Sequence, residues 1–375
     1  MDTVKILHCA DLHIGQNVSQ LGEKGVLRRS EALITFENII NLAHAQSVDF
    51  LLIAGDLLSS NSIEERIVNR VLESIASIPD IKVIFAAGNH DPLNSESPFT
   101  KRKLPFNLYV LPTKDTALTF DDKNCRIYGR SFSEVYLEGE ARFSLPADDN
   151  FINIMCQHGE VRHDLSSNYN SITPEFIDTC GMDYIALGHI HKRSEIAKRG
   201  NTYFAYCGCT EGLGFDELGD KGVYIGEVGK RFADLSFFKT SLRTNERAEI
   251  DVSDCEDSSS VVAKALSSLK EKYGDSFPDN LYKIILVGDI PFGRWFDTAE
   301  IESRLLQSVY YAKVKDETEI AVDLELIKNE NSLKGIFVSK MLDLIKQNPN
   351  EEEKLKKALN IGLKAFSTEV DFNGN

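Results

Sequence analysis

Five short motifs, each closing an apolar run, constrain this chain more than any other feature. They read Asp11-Leu12-His13, Gly55-Asp56, Gly88-Asn89-His90-Asp91, Gln157-His158-Gly159 and Gly188-His189-Ile190-His191. The runs before them, at 4–10, 49–54, 82–87, 151–156 and 183–187, are almost continuously apolar. Runs of that kind suit strands buried on both faces. Helical patterns lie between several of them, at 30–45 and 63–78. Strand and helix in alternation argue for a layered α/β core. In such folds ligands collect at the carboxyl ends of the strands, and every motif here sits at such an end.

The residue types then point to metals. Asp11, His13, Asp56, Asn89, His158, His189 and His191 are the candidate ligands. Buried charge at this density is tolerable only with a metal or a partner. Two adjacent cations can activate a water and neutralise a phosphate at once. The expectation is therefore a hydrolase of phosphoesters, with His90 left over for acid–base work. Asp91 is expected to fix the His90 ring, against a competing reading as a turn residue before Pro92. A set of imidazoles, carboxylates and one amide, without thiolate, fits manganese, iron or zinc better than calcium. His8, His44 and His163 lie outside the motifs and are expected to be structural.

With the five motifs present in order, the chain resembles the calcineurin-like metallophosphoesterases, strongly over about the first 230 residues. More narrowly it resembles the SbcD-type DNA repair exonucleases and their YhaO-type relatives. The narrower likeness rests on Tyr206-Cys207-Gly208-Cys209-Thr210-Glu211-Gly212 with Phe215-Asp216-Glu217, on 287–292 with Asp316-Glu317-Thr318, and on the helical tail. The resemblance implies a four-layer α-β-β-α core of two packed mixed sheets flanked by helices. It implies one ion held by Asp11, His13 and His191, a second by Asn89, His158 and His189, and Asp56 bridging them. It implies manganese, with iron, zinc or magnesium as alternatives. It also implies 3′→5′ exonuclease action on DNA, an SMC-like coiled-coil ATPase partner and a homodimer. The helix at 63–78 is one candidate face for the dimer. Many relatives carry a His three residues after Gly-Asp. Here Ser59 stands there, which puts its assisting role in doubt and leaves Ser59 and Ser60 as helix caps.

The organisation reads as a catalytic core at 1–245, a small α/β cap at 261–330 that the resemblance assigns to guiding DNA, and a helical partner-binding segment at 332–366. The polar stretch 251–260 marks the boundary. Within the cap the patterns predict a helix at 261–273, a strand at 281–289, a helix at 298–310 and a strand at 319–326. Trp295, the only Trp, reads as a core or interface anchor before a base-stacking residue. Residues 368–375 read as a disordered end.

Net charge is −16, an awkward balance for a protein that grips DNA, which usually carries basic patches. Local pairs remain at Arg28-Arg29, Lys101-Arg102-Lys103, Lys192-Arg193 and Lys198-Arg199. Arg102, Lys103, Lys192 and Arg193 are the candidate phosphate contacts, because they neighbour metal motifs in sequence. Weak intrinsic DNA affinity, supplemented by a partner, is the expectation. No run is long enough to span a membrane. A cleaved leader would remove the first strand and two ligands, and the seven Cys are scattered. Both point to a cytoplasmic chain with reduced thiols. The rival readings are a small-molecule phosphodiesterase or phosphomonoesterase, and a catalytically weak scaffold that binds DNA or a partner.

Overall fold

The computed structural model describes residues 2–140, 143–163 and 167–367. The chain divides into two compact units, residues 1–244 and 245–375. In the first, the order is β1 (Thr3–Cys9), α1 (Lys24–Ala45), β2 (Phe50–Ile53), α2 (Glu65–Ala76), β3 (Lys82–Phe85), β4 (Leu108–Val110), β5 (Thr116–Phe120) and β6 (Cys125–Gly129). Then come β7 (Leu137–Glu140), β8 (Ile152–His158), β9 (Glu160–Val161), β10 (Tyr169–Ile172), α3 (Pro174–Thr179) and β11 (Tyr184–Gly188). β12 (Ala197–Arg199), β13 (Thr202–Tyr206), β14 (Gly222–Gly229) and β15 (Phe232–Lys239) complete it.

Two six-stranded sheets result, ordered β15-β14-β1-β2-β3-β4 and β12-β13-β11-β8-β6-β5. β1 to β4 run parallel in the first, and β13, β11, β8 and β6 run parallel in the second. Register aligns Leu7, Leu51 and Val83 on one face of the first sheet. That face packs on Phe36, Ile39 and Ile40 of α1 and on Val68, Val71 and Ile75 of α2. Its other face, with Ile6, Phe50, Leu52 and Ile84, meets Ile127, Ile154, Tyr184 and Ala186 of the second sheet. Strands buried on both faces are why the sequence shows continuous apolar runs rather than alternation. The outer face of the second sheet, with Tyr128, Met155 and Ile185, is covered by Ile177 of the short α3. The order of layers is α-β-β-α, as the resemblance implies, with the outer helical layer reduced to that one short helix among the described residues. α2 turns its apolar residues inward. Of the large apolar residues on these two helices, the exposed ones lie on α1, at Val26, Leu27 and Ile34.

The second unit starts with a strand the sequence did not suggest, β16 (Asn245–Asp251), ahead of the boundary expected at 251–260. That polar stretch runs from the end of β16 through a turn into α4 (Ser258–Tyr273), where Asp257 and Ser260 form a capping box. β17 (Leu281–Val287), β18 (Asp289–Pro291), α5 (Thr298–Leu305), β19 (Tyr311–Asp316), β20 (Glu319–Ala321), α6 (Leu324–Ile327), α7 (Leu333–Gln347) and α8 (Glu352–Ser367) follow. β16, β17 and β19 make a parallel sheet. The helix expected to 310 stops at Leu305, where residues 311–316 leave to pair with β17. The strand expected to 326 stops at Ala321, because Asp323 caps α6. Val338 of α7 and Leu359 and Leu363 of α8 share one hydrophobic cluster with Val261, Tyr282 and Ile301, so the tail helices belong to the cap's core. Trp295 is 58% exposed, which overturns the core reading. The end expected to be disordered, 368–375, lies outside the described residues.

Candidate metal centre

The five motifs meet where β1, β2 and β3 of one sheet and β8 and β11 of the other end. Hydrogen bonds lock the loops to each other. Asp11 N–H donates to Gly55 O at 3.1 Å and His13 N–H to Asp56 O at 3.0 Å. The His90 N–H donates to Asp56 Oδ1 at 2.9 Å, and the His189 N–H to Asp11 Oδ1 at 3.0 Å. Close approach demands glycine. A Cβ at Gly55 would stand 2.1 Å from His158 Nδ1 and one at Gly88 would stand 2.2 Å from Asp56 Oδ1. Asp11, His13, Asp56 and His189 adopt left-handed φ of 52°, 45°, 51° and 98°, uncommon for residues with side chains.

Donor atoms converge in overlapping groups: Asp11, His13 and His191; His13, Asp56 and His90; Asp11, Asp56 and His158, each within 4.8 Å. The His158 Nδ1 lies 2.9 Å from Ala54 O, a partner that requires the proton on Nδ1. Its Nε2 lies 3.0 Å from Asn89 Oδ1. His191 repeats the arrangement. Its Nδ1 bonds the Glu217 carboxylate, while its Nε2 faces His13 Nε2 at 3.0 Å. Carboxylate and imidazole donors gathered this closely in a buried site suit a cation, so the residues fit the metals expected of them. His189 departs from the rest. Its ring lies 4.7 Å from that of Tyr169 and 5.2 Å from that of His158, and it joins none of the convergent groups found among the described residues.

Electrostatics agree. Burial pushes Asp11 up to about 6, against the pull of the His158 and His191 rings. Asp56 is held below its ordinary range: burial opposes this, but His158, His13 and His90 outweigh it. Burial brings His13 down to about 3 and His189 down to about 4. His191 goes the other way, to about 9. Burial lowers it, but the Glu217 hydrogen bond and the Asp11 and Asp56 carboxylates win.

Several expectations are corrected. Asp91 does not hold the His90 ring. It is fully buried, and its carboxylate accepts from Gly88 N–H at 2.8 Å and Leu58 N–H at 2.9 Å. It staples the third motif to the second, while His90 is exposed with its ring edge-on to His13 at 4.7 Å. Ser59 and Ser60 cap nothing: α2 starts at Glu65 without a side-chain cap, and the Ser59 N–H donates to Ile14 O. Arg102 is engaged by Glu65 and Asn69, and Arg193 stacks on Phe237 at 4.3 Å. Arg28 is buried between Glu31 and Glu211. Lys103 and Lys192 are exposed and form no ion pair among the described residues. Glu217 entered the sequence reading only within the stretch Phe215-Asp216-Glu217, with no role at the site. It lies 26 positions after His191, and no local spacing links them.

A sequence profile of the family described as calcineurin-like phosphoesterase matches residues 4–193, which hold all five motifs. The chain is 28% identical over 284 residues to the uncharacterized metallophosphoesterase YhaO of Bacillus subtilis, covering 72% of this chain and 67% of that protein. It is 25% identical over 268 residues to the DNA double-strand break repair protein Mre11 of Aeropyrum pernix, covering 67% of this chain and 64% of that one. It is 27% identical over 308 residues to the Mre11 of Thermoplasma acidophilum, covering 76% and 77%. The chain thus spans about two thirds of the length of the first two.

Proposed function

We propose, from the premise that this chain belongs to the calcineurin-like phosphoesterases, that it is a two-metal phosphodiesterase acting on DNA ends in repair. The activity proposed is 3′→5′ exonuclease on double strands, with endonuclease cleavage near blocked ends. The observation that carries the chemistry is the convergence of donor atoms around Asp56: Asp11, His13 and His191; His13, Asp56 and His90; and Asp11, Asp56 and His158, each group within 4.8 Å. Asp11, His13 and His191 would hold one ion, Asn89, His158 and His189 the other, with Asp56 shared. When bound, such a pair activates water and neutralises phosphate charge. We take manganese as the ion on the donor set and the likeness to the repair proteins.

The chain's own groups do the rest. His90 stands at the exposed mouth and holds a proton for the departing alkoxide. Asp56 fixes it there through the backbone bond. Exposed Lys103 and Lys192 bind backbone phosphates. Two such contacts against a net charge of −16 leave DNA affinity weak, so a partner delivers the substrate. The proposed partner is a coiled-coil ATPase. Its support is an apolar surface on the tail: Leu333 and Ile336 of α7 and Ile361 of α8 are 73%, 53% and 68% exposed. A second copy would dock on Val26, Leu27 and Ile34 of α1. A cytoplasmic location is proposed on the seven Cys, all of them free. No helix among the described residues is long and apolar enough to cross a membrane.

The test is hydrolysis of end-labelled double-stranded DNA and of a small phosphodiester by manganese-loaded protein, beside His90→Ala and Asp56→Ala. Nucleotide release from DNA ends, lost in both variants, is expected. Cleavage of the small diester alone, even with the partner present, would replace the DNA reading with a small-molecule one.

A further inference from the structure

Overlapping the two-metal set at His191 stands a second group of cation donors, of which Cys209 and Glu217 are not ligands of either proposed ion. His191, Cys209 and Glu217 place a ring nitrogen, a thiol sulfur and a carboxylate oxygen within 4.8 Å of one another. Each is anchored separately. The Cys209 N–H donates to His191 O at 3.1 Å. Gly208 makes that return possible with φ +76°, where a Cβ would meet Arg193 N and His191 O at 2.8 Å. Glu217 is fixed by Leu213 N–H, which donates to its Oε2 at 2.7 Å. Cys209 is 1% exposed. Glu217 also lines a cleft of about 210 Å³ with Gln16, Asn17, Ser19, Gly214 and Asp216, so one of the three donors faces space for water.

A thiolate, an imidazole and a carboxylate with one open position form a tetrahedral set for a thiophilic ion. Manganese and magnesium prefer oxygen and water. We propose that His191 Nδ1, Cys209 Sγ and Glu217 form a third cation site, selective for zinc-like ions, that shares His191 with the two-metal set. The site's existence is independent of that set, and only the sharing rests on the two-metal reading. Binding releases the Sγ proton to solvent and replaces the Glu217–His191 hydrogen bond. A neutral imidazole has one lone pair. Ligation through Nδ1 moves the ring's remaining proton to Nε2 and removes His191 from the first ion. A zinc-like ion bound here therefore competes with manganese and acts as an inhibitor.

The test adds cadmium stepwise to the metal-free full chain and follows thiolate-to-cadmium charge-transfer absorption in the ultraviolet. One thiolate signal per chain is expected. It should be absent in Cys209→Ser, kept in Cys207→Ser and shifted to at least about tenfold higher cadmium in Glu217→Gln, which keeps the thiol and the side-chain shape. No signal in the unaltered protein, or an undiminished one in Cys209→Ser, overturns the proposal. Bound manganese counted in separate samples reports on the two-metal set by itself. Cadmium at Cys209 without any manganese binding would uphold this site and remove the other reading.

Discussion

Truncating Asp91 separates a structural staple from a catalytic group. In the structure its two carboxylate oxygens take the Gly88 and Leu58 N–H groups at 2.8 and 2.9 Å. Burial and the nearby Asp56 carboxylate push its pKa up to about 7, so the charged form is already penalised, and these two bonds oppose that penalty. Asp91→Ala leaves two buried N–H groups without partners. Each unsatisfied group costs about 1–3 kcal/mol, for a loss of about 2–6 kcal/mol. Asp91→Asn keeps one acceptor and should lose about half as much. The assay is urea unfolding of the metal-free proteins at fixed pH, paired with hydrolysis at saturating manganese. The staple holds Asp56 and Asn89 in register, so the Asn variant should need more manganese yet approach the unaltered kcat. A stability loss under about 1 kcal/mol for Asp91→Ala, with kcat lost in both variants, would refute this and restore Asp91 as the group that orients His90.

Glu217→Gln should weaken one ion of the two by about 10–100-fold, the usual effect of losing a carboxylate behind a ligating His. Chelator competition checks this, and equal weakening of both ions would contradict it. Arg28→Ala should destabilise the core by about 3–5 kcal/mol, since it strands the buried Glu211 carboxylate; denaturant unfolding reads it directly. His8 makes a pH prediction. Its ring, bonded to Tyr184 OH and Leu187 O, is lowered by burial from 6.5 to about 3. Between those values the unfolded chain holds the extra proton, so stability falls as pH falls, by up to about 1.4 kcal/mol per unit from this group. His8→Leu should flatten the stability profile over pH 3 to 6.5 by that slope.

What could be read in advance followed from burial. Strands covered on both faces are spelled in uninterrupted apolar residues, so β1, β2, β3, β8 and β11 stand out together with the ligands at their ends. β16 was hidden because Glu246, Arg247 and Glu249 break its run. The 251–260 stretch misled because the polar residues of a capping box look like a linker. The basic pairs misled for another reason. Glu65 for Arg102, Phe237 for Arg193 and Glu211 for Arg28 are distant in sequence. A charge that a fold has already matched looks the same in sequence as one left for phosphate. Glu217 and Asp91 act through His191 and through backbone N–H groups, and neither kind of partner leaves a spacing signal.

The site's strain decides how metal and fold are coupled. Among the described residues, half of the eight non-glycine residues with positive φ are expected ligands: Asp11, His13, Asp56 and His189. Such conformations cost about 1–3 kcal/mol each and persist only where surroundings over-determine them. Here the surroundings are protein: Gly55 O accepts from Asp11 N–H, Asp56 O from His13 N–H, Asp56 Oδ1 from His90 N–H and Asp11 Oδ1 from His189 N–H. None of these bonds needs a cation, and both sheets close over their own core. Removing metal should therefore leave the chain folded, unlike small domains whose folding is metal binding. Manganese should add stability by mass action alone, about 4 kcal/mol at a thousandfold excess over Kd. Thermal unfolding against manganese concentration would show a smooth logarithmic rise. A metal-free chain without a cooperative transition would mean the ions, not the loop-to-loop hydrogen bonds, hold these residues in their strained conformations.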